Sequence, residues 1–526
     1  EARIPQRLRE LTLACVAKAP DDRPPHWGAI VDELSAIYRE VVGHAPILEV
    51  TGPALEAREL MDKGYSLTEL KRYDEALEAY DQAIALQPRY AWAWARKGRT
   101  LRLLNRLDES LSCFERALEI DPNYAWAWRG KGMILERLER WEEALYCYRT
   151  AAHLQPGDPW HWCNQAEVLQ HLGRYEEAIP LLETAIKVDP SHSNSWARLG
   201  QIYRLMKRYD DAINAYERAV QIDPSYGWAQ NGLGLALKAV GRYRDALIAF
   251  KKAARHQPDD VWHWYNIAEM LIELGQYQDA VEPAFEATRV DSNHAFSWAK
   301  LGQALRYVKR YDEALAAYQR AIELQPDYAW AINGMGIVLE QLGRYEEALE
   351  AYRRSASLGE PDVWHLYNQG NVLVLLGRCE EAIPLLRGAI ELNPGHTRSW
   401  ARLGNALRQL GRMREALEAY EQATASDPSF AWAWNELGIT LEAMGRKREA
   451  LEAYRNASVS TPDEPLYLYQ QADLLIQFGN YDEALEILEQ ALEIDGSNAN
   501  TWAKHGQALR RVNRLEESLR SFTRAV

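Results

Sequence analysis

The chain has 526 residues, several times the usual single-domain length, and 47% of them are apolar with a mean hydropathy of −0.44, which fits a large protein built for water. Lys+Arg 61 against Asp+Glu 76 leaves a formal charge of −15 and a pI near 5.4. That balance excludes a general nucleic-acid binder, which needs a basic footprint, and the absence of any run of 18 uncharged apolar residues excludes a helical membrane span, so neither nucleic acid nor membrane is an expected partner.

At the N-terminus there is no basic segment followed by an apolar stretch and a small-residue cleavage site, so secretion is not indicated. The cysteines, Cys15, Cys113, Cys147, Cys163 and Cys379, are odd in number, scattered and without a C-x-x-C pair; a reducing cytoplasm is the expected compartment. The chain begins at Glu1 without a Met and stops at Val526 inside a helical pattern, so it reads as a fragment of something longer.

Residues 1–43 form the first segment. Leu8, Leu11, Cys15, Pro20, Arg23, Pro24, Ile30 and Leu34 follow a C-x4-P-x2-R-P spacing. Over Ile4 to Val42 this resembles the end of the eukaryotic-type serine/threonine protein kinase fold. The resemblance implies that the arginine matching Arg23 pairs with a buried glutamate lying upstream, which this chain lacks. No Gly-rich phosphate loop, strand lysine, H-R-D loop or D-F-G is present, so the chain carries no catalytic site and no cofactor; ATP and Mg would belong to a parent kinase. Trp27, Ile30, Leu34 and Tyr38 recur at helical spacing, predicting a helix over Pro25 to Val42. The segment is either a cap over the apolar face of the adjoining helices or a disordered remnant. Residues 44–56 read as a linker.

From Ala57 to Val526 the sequence repeats every 34 residues without insertion. With Ala57 as position 1, position 8 is Gly or Ala from Gly64 to Gly506, position 20 is Ala or Ser from Ala76 to Ser518, and position 32 is Pro apart from Ser292, Glu360 and Gly496. Small residues let two antiparallel helices approach, while an aromatic such as Tyr216 is expected in the wider gap one turn later. Trp196, Leu199, Gly200, Tyr203, Ala212, Tyr216 and Pro224 reproduce W-x2-L-G-x2-Y, A-x3-F and P, which resembles the tetratricopeptide repeat (TPR). The resemblance implies an all-α, right-handed solenoid of thirteen complete helix-turn-helix repeats and one partial, over residues 57–526, with first helices lining a concave face. Independently, Tyr311 to Leu324 has helical apolar spacing with Asp312 and Glu313 at its start.

A second period of 102 residues groups the repeats into three types, which accounts for the excess of Trp (19) and Tyr (28) over Phe (7). One type carries Trp160, Trp262 and Trp364 followed by His161, His263 and His365, then Asn164, Asn266 and Asn368. The histidines stand on the order of 30 Å apart at about 8–10 Å per layer and cannot share a metal ion. Another type carries Trp126, Trp228, Trp330 and Trp432. The third reads W-A-R/K with later arginines at Arg102, Arg204, Arg306, Arg408 and Arg510.

Positions 2, 5, 6, 9, 12 and 13 of each first helix point away from the partner helix and are the candidate groove. They place Arg198, Gln201 and Arg204, then Lys300, Gln303 and Arg306, then Arg402, Asn405 and Arg408, as a basic stripe. Such a stripe suits acidic or phosphorylated segments, unless the cations pair with neighbouring glutamates. Asn164, Asn266 and Asn368, with Tyr265 and Tyr367, resemble the amide usage of peptide-binding members of the family, or serve as helix-to-helix amides. Gln470 replaces the fourth. Tryptophan at position 4, as in Trp128 and Trp196, is core. Position-2 tryptophans stand about 200° away and either pack between repeats or form an aromatic rim. The pairs Gly232/Gly234 and Gly334/Gly336 lack a third glycine and a preceding strand, and read as close helix packing. The expected function is non-catalytic recognition of a protein or peptide, acidic and repetitive like the groove, as the recognition region of a kinase. The rivals are a self-associating superhelix and a parent kinase regulated by the array.

Overall fold

The computed structural model describes residues 6–15, 27–42, 52–360 and 362–526, and every regular element among them is an α-helix. The chain divides into two compact units, Glu1–Gln257 and Pro258–Val526. The first opens with α1 (Gln6–Cys15) and α2 (Trp27–Val42). Arg7 on α1 reaches Glu33 at 2.7 Å and Glu40 at 2.9 Å on α2. On α2 it is Ile37 that is buried, whereas Leu34 and Tyr38, expected on the apolar stripe, are each 41% exposed. Pro20, Arg23 and Pro24 of the kinase-like spacing lie outside the described residues. The next helix, α3 (Gly52–Glu69), begins inside the stretch expected as linker. Pro53 in its first turn costs the helix nothing, because that N–H has no intrahelical partner.

Thereafter the 34-residue period is one helical hairpin per repeat. α3 pairs with α4 (Tyr73–Leu86), α5 (Ala91–Leu103) with α6 (Leu107–Ile120), and α7 (Ala125–Arg137) with α8 (Trp141–Leu154). The helix expected at Tyr311–Leu324 has those bounds. First helices are closed off at position 15, which is left-handed throughout: glycine at sites such as Gly173 (φ 71°) and Gly241 (φ 76°), but Lys71, Asn105, Glu139, Lys207, Lys309 and Asn513 elsewhere. There the amide of Gly173 donates to Gln170 O and that of Arg174 to Leu169 O, closing the exposed carbonyls. A side chain at positive φ costs about 1–2 kcal/mol. Lys207→Gly is therefore expected to stabilise the hairpin by up to about 1 kcal/mol after glycine's own entropy is subtracted. Chemical denaturation of the two proteins checks this, and a loss of stability would refute it.

Most second helices begin with an arginine clasp, the exceptions being those that follow Gln276 and Asn480. Arg310 donates from Nε and Nη2 to Glu313 at 2.7 and 2.6 Å, and the same pair recurs at Arg344 and Glu347, Arg412 and Glu415, and Arg514 and Glu517. No side chain caps these helix starts, so acidic groups in the first turn meet the exposed amides electrostatically.

Packing follows the small positions, with one correction. The aromatic at position 24 does not occupy a separate gap a turn away; its ring lies on the glycines. A Cβ on Gly200 would fall 2.9 Å from the Tyr216 ring, and one on Gly232 of the next repeat 2.4 Å from the same ring. Gly234 meets Phe250 at 2.5 Å, so the glycine pair straddles two rings and serves packing as expected. The position-4 tryptophans are tied to position 32: Trp128 Nε1 donates to Pro122 O at 2.8 Å, Trp298 to Ser292 O and Trp502 to Gly496 O, both at 2.9 Å. Only a carbonyl is required there, which is why serine and glycine replace proline at two of the departures.

Candidate functional site

The geometry of the first-helix face revises the basic stripe. Arg198 meets Glu167 at 3.0 Å and donates to Asn194 Oδ1 at 2.9 Å. Lys300, only 6% exposed, lies 3.6 Å from Glu269 and donates to Gln303, and Arg408 meets Glu436 at 3.0 Å. These three cations are neutralised within the chain, because the preceding or following first helix presents a glutamate one layer away. Of the two readings of the stripe, pairing with glutamates on neighbouring helices is the one found at those positions. Arg204 and Arg306 are half-buried beside the Tyr216 and Tyr318 hydroxyls, each with a buried Nε lacking a hydrogen-bond acceptor among the described residues. Arg402 lies over the Trp432 ring at 4.8 Å, Gln201 is half-buried, and Arg510 is exposed on the last first helix.

The amide positions are drier than a groove requires. Asn164 is 8% and Asn266 5% exposed, and Asn368 donates to Asn333 Oδ1 at 3.2 Å, a bond between neighbouring first helices. Lys300 stands 4.9 Å over the Tyr265 ring, and Tyr367 packs edge-on against His396. His161 and His263 are buried beside Asp158 and Asp260, which cap their helices by accepting from Trp160 N and Trp262 N. His365 completes a capping box with Asp362. Helix capping accounts for His365 alone, and among the described residues no group of acidic, histidine and cysteine side chains could hold a metal.

Position-2 tryptophans pack between repeats and also remain at the surface. Trp126 contacts Phe114 and Tyr124, Trp228 contacts Tyr216 and Tyr226, and Trp432 contacts Phe430. Trp160, Trp262 and Trp364 each meet the histidine that opens the next first helix, His192, His294 and His396, at 4.7, 4.7 and 4.9 Å. Yet Trp160, Trp262, Trp330 and Trp364 are 39, 46, 42 and 50% exposed. Trp92, 52% exposed and stacked on Tyr124, belongs with them.

Of Trp92, Arg96, Arg99 and Arg129, only Arg96 lies on the 102-residue spacing, 102 residues before Arg198; the others escape a search by it. The four occupy positions 2, 6, 9 and 5, and reading every repeat at those positions would find them. Arg96, Arg99 and Arg102 on α5 and Arg129 on α7 line one cavity of about 270 Å³. Beside it, Tyr148 Oη donates to Glu136 Oε2 at 2.5 Å. Burial, with Glu167 close by, pushes the Glu136 carboxyl up to about 7. A raised folded-state value means the folded protein holds this proton more tightly than the unfolded chain, so its contribution is complete below the ordinary carboxylate range and is lost as pH rises through about 7. Glu136→Gln should therefore gain thermal stability over the parent at pH 8 and lose that advantage by pH 5, a difference that melting curves at the two pH values read directly. A pH-independent difference would refute it.

Larger clefts of about 630, 610 and 630 Å³ recur at the position-4 tryptophans Trp196, Trp298 and Trp400, away from the first-helix face. No described helix is long and apolar enough to cross a membrane.

A hairpin every 34 residues, small residues beneath rings, and an indole tied to the turn define a helical repeat protein. Two family models described as tetratricopeptide repeat match residues 56–123, 158–225, 193–259 and 291–360, and residues 104–159, 231–294, 367–431 and 435–499; the chain belongs to the tetratricopeptide repeat family. Among solved structures it is similar to YrrB, a TPR protein with an unusual peptide-binding site, at 30% identity over 36% of this chain and 97% of YrrB, with a TM-score of 0.30. It is also similar to the APC/C hetero-tetramer Cut9–Hcn1, at 14% identity over 88% of this chain and 97% of that one (TM-score 0.43), and to MamA, at 24% over 30% and 94% (TM-score 0.28). No curated protein matches the chain.

Proposed function

We propose that the array is a non-catalytic scaffold that binds protein or peptide segments along the first-helix face of its repeats. The observation that carries this is the same-register set of half-exposed tryptophans, Trp92 and Trp160 in one unit and Trp262, Trp330 and Trp364 in the other. Large apolar rings held rigid by their neighbours lose little entropy on contact and supply most of the energy of a typical interface. Around them Arg204, Arg306 and Arg402 favour acidic groups on the partner.

The finer reading rests on the resemblance of residues 4–42: in a longer parent with a serine/threonine kinase domain, the array would bring substrates or regulators to an ATP- and Mg-dependent active site in the cytoplasm. Phosphorylation by the parent with and without residues 57–526 tests it, and equal rates and substrate ranges would sink it.

For the scaffold itself, affinity capture is compared between the protein and a Trp262→Ser, Trp364→Ser variant of equal helix content. A partner that the variant loses, and that binds the purified protein directly, is the expected result. Equal capture by both proteins overturns the reading. So does self-association as the only detectable binding, seen as mass rising with concentration in light scattering, which would assign the tryptophans to a second copy of the chain.

A further inference from the structure

The members of the W-A-R/K type are not equivalent. In three of the later ones the position-6 cation faces a carboxylate at position 9 of the preceding repeat: Glu167 for Arg198, Glu269 for Lys300, Asp473 for Lys504. In the first, that place is Tyr65, and Arg96 stacks on it instead, its guanidinium carbon 4.7 Å from the Tyr65 ring and 4.8 Å from the Trp126 ring. Position 9 is Arg99, where the later copies carry Gln201, Gln303, Asn405 or Gln507, and position 5 of the following repeat is Arg129, where Asn231, Asn333 and Asn435 stand after the later ones.

Four guanidinium groups thus share one cavity whose floor is the Phe114 ring. Gly130 lets α7 lie directly on that ring, since a Cβ there would fall 2.3 Å from it. Among the described residues only Arg99 has a carboxylate partner, Glu69 at 2.8 Å, while Arg129 Nε is buried with no acceptor. Burial, with Arg137 and Arg99 close by, lowers the Arg102 guanidinium from its ordinary value.

We propose that this cavity binds the phosphate monoester of a phosphorylated segment on a partner protein, an assignment that rests on the scaffold reading above. A single carboxylate would leave most of the charge uncompensated. A phosphate monoester carries about −1.5 to −2 at neutral pH with three acceptor oxygens, and suits guanidinium groups that donate in pairs. Arg96 is already held between two rings, so little is lost in ordering it. At about 270 Å³ the cavity lies just below the range of drug-sized pockets, roughly 300–1,000 Å³, as a side-chain-sized group requires. A nucleic-acid backbone is disfavoured by the −15 net charge and by the carboxylates that neutralise the later copies.

The test is fluorescence anisotropy with the whole chain and three labelled degenerate peptide pools that differ only in a fixed central phosphoserine, serine or glutamate. The phosphoserine pool should bind tighter than either other pool by about tenfold or more, as expected for one additional set of charge-assisted bonds. Arg102→Gln with Arg129→Gln should abolish that difference, whereas Arg198→Gln, whose partner is Glu167, should not. Should the double variant fail to fold, inorganic phosphate competing against the phosphoserine pool on the unmodified protein reads the same site. Equal binding of all pools overturns the phosphate assignment and leaves the scaffold reading standing. Saturation by inorganic phosphate without any advantage for the phosphoserine pool overturns the partner-segment assignment in favour of a free-phosphate site. Tighter binding of a single-stranded oligonucleotide than of the phosphoserine pool overturns it in favour of nucleic acid.

Discussion

Tyr318→Ala is expected to lower the stability of its part of the array by about 3–5 kcal/mol, the range for deleting a large buried aromatic side chain. The ring is 1% exposed and sits where three helices meet, Ala295–Tyr307, Tyr311–Leu324 and Ala329–Gln341. It fills the space left by two glycines, Gly302 in its own repeat and Gly334 in the next, where a Cβ would stand 2.9 and 2.6 Å from ring atoms. Neither glycine carries a side chain that could move into the void, so the cavity stays open. Because each repeat touches only its neighbours, the loss should be local. Hydrogen exchange should show protection collapsing over residues 295–341 while amides of the unit Glu1–Gln257 exchange as before. A cost under about 1 kcal/mol would mean that the site collapses around alanine.

Gly232→Ala should destabilise, against the helix-propensity trend. In an ordinary helix interior the change gains up to about 1 kcal/mol. Here the new methyl would sit 2.4 Å from Cε1 and Cζ of Tyr216, a ring 1% exposed that also lies on Gly200, so it cannot swing away. Overpacking of this kind costs about 1–3 kcal/mol, and the clash wins. The cycle with Tyr216→Leu separates the terms: the alanine should be harmless or favourable once the ring is gone. Gly388→Ala is the counter-case, because its only near neighbour is the flexible end of Leu366 at 3.3 Å, and a gain is expected. If Gly232→Ala and Gly388→Ala shift the denaturation midpoint in the same direction, the ring contact does not govern position 6.

Glycine at positions 6 and 8 shows how deeply the fold was written in the sequence. Fixed spacing of small residues, rings and prolines compels a hairpin of constant length, because each hairpin can bury its apolar side only against an identical neighbour. The Tyr311–Leu324 helix and the packing role of the Gly232/Gly234 pair were legible from spacing alone. What the ring does was not: Tyr216 bridges two repeats, a contact that no single 34-residue unit contains.

For the candidate site the division is sharper. The sequence by itself placed Arg198, Lys300, Arg408 and the position-2 tryptophans on one helical stripe, since a period of 3.6 residues decides which side chains share a face. It could not decide whether a cation on that stripe is free, because its partners, Glu167, Glu269 and Glu436, lie on neighbouring helices at distances set by how one hairpin stacks on the next. Only the tertiary structure showed three stripe cations satisfied inside the chain and four arginines of the first copy gathered, largely without carboxylates, around a glycine-lined cavity. Helix periodicity is a local property that sequence carries in full, whereas charge compensation is a sum over neighbours from different repeats, and that sum exists only once they are packed.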